Sequence, residues 1–79
     1  MVDNKEMQIS ELLLEFSGKL SEEILLSIKE LNSSNEWGVA LEELCNMLYE
    51  YNINLELKQY QAIERLGLEM EINKENLFF

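Results

Sequence analysis

A chain of 79 residues carrying 16 acidic and 6 basic side chains, for a net charge of −10, has room for one domain and one modest core. That balance argues against direct binding to nucleic acid or to an anionic membrane, both of which are gripped through Lys and Arg. Cys45 is the only cysteine, which excludes an internal disulfide and a cysteine metal cluster, and without histidine the commonest general base and metal ligand is missing.

No basic-then-apolar segment opens the chain, and uninterrupted apolar runs such as Leu12 to Leu14 are far too short to span a bilayer, so a soluble cytoplasmic protein is expected. Proline is absent, and the apolar residues recur with a helical rather than an alternating period. The first helix is expected to start near Asp3 or Asn4, with Ile9, Leu12, Leu13 and Phe16 inward and Gly18 marking its end. Ser21 is placed to cap a second helix, Glu22 and Glu23 sit favourably at its positive end, and Ile24, Leu25, Ile28 and Leu31 form its inner side.

The polar run Asn32-Ser33-Ser34-Asn35 is the clearest break. Ser33 and Glu36 have the spacing of a capping box for the third helix, and Asn35 is an equally good cap. That helix is expected to run to about Tyr51. Advancing 100° per residue from Trp37 keeps Leu41, Leu44, Leu48 and Tyr51 in one stripe and gathers Glu36, Glu42, Glu43, Asn46 and Glu50 opposite. Asn52-Ile53-Asn54 leads to a fourth helix, roughly Glu56 to Met70, with Tyr60, Ile63, Leu66, Gly67 and Met70 on its core face. Asn73 could cap a last turn holding Leu77, Phe78 and Phe79. The expected fold is all-α, a single-domain bundle of four amphipathic helices with a short C-terminal turn.

Individual residues carry further expectations. Trp37 is placed as a core anchor, Cys45 as a small buried thiol, and Gly38 as a point of close approach between helices. Tyr49 points beside Glu42 and Asn46 and is the best exposed aromatic anchor. Phe78 and Phe79 either fold back on the bundle or form a terminal apolar patch.

The third helix is unusual in its charge. No Lys or Arg occurs between Lys29 and Lys58, yet Glu30, Glu36, Glu42, Glu43, Glu50 and Glu56 lie there. Helices normally relieve crowded glutamates with a base three or four residues away. An unneutralised acidic face costs stability, and a basic partner is the simplest reason to keep one, although most charge runs on helices are only solvated surface. With 15 glutamates in the chain, choosing a catalytic pair among them would be arbitrary, so no enzymatic activity, cofactor or metal is expected.

The segment Asn35-Glu36-Trp37-Gly38-Val39-Ala40-Leu41-Glu42-Glu43-Leu44-Cys45-Asn46-Met47-Leu48-Tyr49-Glu50-Tyr51 resembles the signature of the MafI-family immunity proteins, E-W-G-x-A-L-E-x-L-C-x-x-L-Y-E-Y. The likeness extends more loosely from Gly18-Lys19-Leu20-Ser21 to Met70, about two-thirds of the chain. Family members often have a proline where this chain has Asn54. The resemblance implies a small helical protein of a contact-dependent or polymorphic toxin system (CdiI-like), which binds the cognate toxin's C-terminal domain stoichiometrically. Toxins of these systems are often ribonucleases, an EndoU-like enzyme among them. A basic nuclease cleft is also what an acidic helix can complement. On this expectation Glu36, Glu42, Glu43 and Glu50 meet toxin Lys and Arg, Asn46 and Tyr49 add directional contacts, and the free chain is a monomer. Two other classes fit the composition: an acidic nucleic-acid mimic or anti-regulator that binds a basic DNA-binding protein, and a structural adaptor that dimerises through Phe78 and Phe79.

Overall fold

In the computed structural model, which describes residues 4–72 and Leu77, the apolar spacing resolves into four helices: α1 (Lys5–Glu15), α2 (Glu22–Ser33), α3 (Trp37–Glu50) and α4 (Leu57–Glu69). No strand forms among the described residues. The expectations placed on Asp3, Asn73, Phe78 and Phe79 lie outside that range.

The inner faces are largely those the helical period predicts. Ile9, Leu12, Leu13 and Phe16 are buried from α1 and its C-cap; Leu25 and Ile28 from α2; Ala40, Leu41, Leu44, Cys45 and Leu48 from α3; Ile63 and Leu66 from α4. Ile24, Leu31, Trp37 and Met70 pack against this core half-buried. α1 touches all three other helices, α3 packs most extensively on α2, and α2 and α4 make little contact with each other. The core therefore sits along the α1–α3 contact, with α2 and α4 at opposite edges.

The helix ends show where the chain departs from the sequence expectation. Asn35 (φ 65°), Asn52 (φ 53°) and Glu71 (φ 57°) are left-handed and follow the C-caps of α2, α3 and α4. In each case the next amide donates five residues back: Glu36 N–H to the Leu31 carbonyl (3.0 Å), Ile53 to Leu48 (3.0 Å), Ile72 to Gly67 (2.9 Å). These are Schellman endings, which satisfy carbonyls that a helix otherwise leaves open. Asn35 thus closes α2 instead of capping α3. Ser33 is the last residue of α2, so the Ser33–Glu36 capping box does not form, and Glu36 stands at the N-cap of α3 without a side-chain cap bond. The connection from 34 to 36 is too short to finish one helix and cap the next separately.

Other caps divide. Ser21 Oγ accepts from Ile24 N–H at 3.2 Å, as expected, while Asn4 occupies the N-cap of α1 with no side-chain bond. Gly18 adopts φ 89° in the turn after α1, a conformation glycine enters without a Cβ penalty. Tyr51 leaves the apolar stripe and is exposed, because α3 stops at Glu50 and the chain turns left-handed at Asn52.

Two buried polar residues tie the helices together. Asn32, inside the expected break, is instead in the last turn of α2 and only 1% exposed. Its Nδ2 donates to the Glu6 carbonyl (2.9 Å) and to Ser10 Oγ (3.1 Å), fastening α2 to the start of α1. Gln59, 4% exposed, accepts from Glu56 N–H through Oε1 (2.9 Å) and donates through Nε2 to Glu15 Oε1 (3.0 Å). It starts α4 and holds that start against the end of α1.

The close approach assigned to Gly38 occurs elsewhere. A Cβ on Gly38 would meet only Ile72 Cδ1, at an ordinary 3.7 Å, whereas one on Gly67 would lie 2.7 Å from Leu77 Cδ1. Leu77, itself buried, needs the room that Gly67 leaves.

Candidate functional site

α3 buries one side against three neighbours, so only a narrow outer strip reaches solvent. Along about 20 Å of axis, at 1.5 Å per residue, that strip presents Glu36, Val39, Asn46, Tyr49 and Glu50 as exposed residues. Glu42 and Glu43 are half-buried on its two flanks. The two central acids thus lie lower than the helical wheel alone places them, because helices on both sides rise around α3. Tyr49 is 69% exposed, and Val39 contributes an apolar centre that charge-based reasoning overlooked.

The electrostatics of the strip are one-sided. α3 has no basic residue in its last turn, where the negative end of the helix dipole lies, and Glu50 adds a carboxylate there. On one flank Glu42 faces Cys45. Burial, and secondarily the Glu42 carboxylate, push the Cys45 thiol up to about 12, so it stays protonated and acts as a small packed group.

The fold also brings together acids that are remote in sequence. A shallow open hollow at the start of α3 is lined by Asn35 to Val39, by Glu69, Met70 and Glu71 at the end of α4, and by Lys5. Glu69 and Glu71 therefore add carboxylates beside Glu36, in a hollow that the Lys5 ammonium also lines. Sequence reasoning missed them because nothing in the period of α3 says which helix ends beside it. Trp37 anchors this corner half-buried, and its Nε1 is enclosed without a hydrogen-bond partner.

Among the described residues no group of three or more His, Cys, Asp or Glu is arranged to hold a metal ion, and no helix is long and apolar enough to cross a membrane. The surface can offer a partner carboxylates, an amide and a phenol over one continuous strip, which is the chemistry for receiving ammonium and guanidinium groups. The fold is an all-α four-helix bundle. Comparison with family profiles, with curated proteins and with solved structures returns no match.

Proposed function

We propose that this chain is an immunity-type inhibitor, which binds a basic, nuclease-like toxin domain stoichiometrically through the outer strip of α3. The observation that carries the proposal is the strip itself: Glu36, Asn46, Tyr49 and Glu50 exposed together, Glu42 and Glu43 flanking them, and no Lys or Arg on the helix. An acidic surface with an aromatic near one end suits a site built to hold a polyanion, since the cationic groups that grip phosphate would grip carboxylate instead. The resemblance of residues 35–51 to the MafI-family signature supports the same partner class. Inhibition then needs no chemistry from this chain.

The test is an RNA cleavage assay with the toxin domain encoded beside this chain. One equivalent of the protein should abolish cleavage and co-elute with the domain as a complex. Unimpeded cleavage with no complex would reject the proposal, and tight binding to a neighbouring DNA-binding regulator would replace it with the nucleic-acid-mimic reading.

A further inference from the structure

We propose that one flank of the α3 strip, formed by Glu42, Asn46 and Tyr49, receives an arginine of the partner in preference to a lysine. The inference rests on the proposed role of α3 as the partner-binding face and adds which cation that face selects.

The strip has two unlike flanks. On one, Glu36, Glu43 and Glu50 recur every seven residues, a spacing that drifts only about 20° per repeat and so keeps three carboxylates in a row. On the other, Glu42 and Tyr49 stand four positions before and three after the central Asn46. All three lie within about 60° of one another at 3.6 residues per turn. Residues at these spacings are neighbours, with Cβ atoms about 5–6 Å apart. Helical side chains lean towards the N-terminus, which carries the Tyr49 ring over Asn46 and the Asn46 amide towards Glu42. This flank therefore offers one carboxylate, one amide oxygen and one aromatic face.

That set of groups selects the cation. Cys45 is buried three positions after Glu42, and its thiol is pushed up to about 12, first by burial and then by the Glu42 carboxylate, so it stays neutral. Glu42 is thus the single charge of the row. Tyr49 is 69% exposed, which leaves its ring largely open to a partner. A lysine ammonium is a compact, strongly hydrated point charge with three donors to satisfy, and the row has acceptors only along one line. A guanidinium is planar and more weakly hydrated. Its edge can donate paired hydrogen bonds to carboxylate and amide oxygens while its face lies against the ring. The all-carboxylate flank attracts either cation by charge alone.

The experiment is isothermal titration of the intact protein with capped hexa-arginine and hexa-lysine peptides, equal in charge, in about 0.1 M salt, where charges act over about 10 Å. The parent should bind the arginine peptide about 2–5-fold more tightly, the worth of one exposed cation–aromatic contact. Tyr49→Leu should bring the two affinities together with an unchanged helical circular dichroism spectrum. Tyr49→Phe, which keeps the ring, should preserve the difference. Glu43→Gln, on the other flank, should weaken both peptides alike. Equal affinities in the parent, or a preference that survives Tyr49→Leu, would overturn the inference. The peptides need no toxin domain, so this result is read separately from the RNA cleavage assay. A protein that selects arginine through Tyr49 yet leaves cleavage unimpeded would reject the proposed function and keep the arginine-receiving flank.

Discussion

α3 and α4 are almost equal in length, at 14 and 13 residues, and both end in a Schellman motif, yet they turn opposite surfaces to solvent. α3 lies among three neighbours, buries five side chains completely or nearly so, and shows water a narrow acidic strip. α4 is an edge helix, buries two of its four inner positions as Gln59 and Gly67, and shows a neutral face with two leucines. The contrast teaches where uncompensated charge can be kept. Repulsion among surface glutamates costs tenths of a kcal/mol per pair, on the order of 0.2–0.5, while each large apolar side chain buried on α3 contributes roughly 1.5–3 kcal/mol. The helix with the most secure core can carry the charge that its own sequence leaves unbalanced.

The largest effects should separate the two helices outright. Leu44→Ala, at a fully buried position of α3, should lower stability by about 2–5 kcal/mol, whereas Leu68→Ala on the outer face of α4 should stay within about 0.5 kcal/mol of the parent. Urea unfolding midpoints measure both. Similar shifts for the two would erase the difference in burial on which the comparison rests.

Gln59→Ala should come next, at about 1–3 kcal/mol, because it removes the bond to Glu56 N–H and leaves Glu15 without its partner. Its loss should loosen α4 before α3, which hydrogen exchange resolved by residue would register as faster exchange confined to α4. Uniform acceleration over the bundle would mean that α4 is not the more weakly held helix.

Smaller changes should stabilise. Glu71 holds a left-handed conformation that costs a residue with a Cβ, and its charge sits at the negative end of α4, so Glu71→Gly should add about 1 kcal/mol. Gly38→Ala should add about 0.5 kcal/mol, since a helical glycine there has only an ordinary contact awaiting its Cβ. Gly67→Ala should gain less or lose, because Leu77 Cδ1 stands 2.7 Å from the new atom and has to move. Thermal midpoints compared across these three variants rank them, and an alanine at 67 that outperformed one at 38 would contradict the packing described for the end of the chain.

The period of the apolar residues made the four helices and most of their inner faces legible, because amphipathic spacing is a property of each helix alone. What the spacing could not show depends on neighbours. Asn32 reads as part of a polar break until Glu6 and Ser10, distant in sequence, are seen to receive its amide. Asn35 has the chemistry of an N-cap and of a left-handed C-terminal residue, and only the shortness of the connection decides between them. Gln59 looks like an ordinary solvated amide until Glu15 is seen to receive its N–H. For the candidate site, the exposed residues Glu36, Asn46, Tyr49 and Glu50 were readable from the helical wheel. The half-burial of Glu42 and Glu43 and the arrival of Glu69 and Glu71 were not, because both follow from how α3 is seated in the bundle.

The central claim is that the outer strip of α3 is the face that receives a basic partner. Replacing Glu36, Glu42, Glu43 and Glu50 together by glutamine keeps the helix and removes four charges. Association with the immobilised toxin domain should then slow by tenfold or more and lose most of its dependence on salt, since steering of opposite charges speeds encounter by about 10–10³-fold. Tyr49→Ala should act mainly on dissociation, as an anchor that contributes after docking. A four-glutamine protein that associated at the parent rate, with the parent salt dependence, would contradict the account and leave the strip as solvated surface.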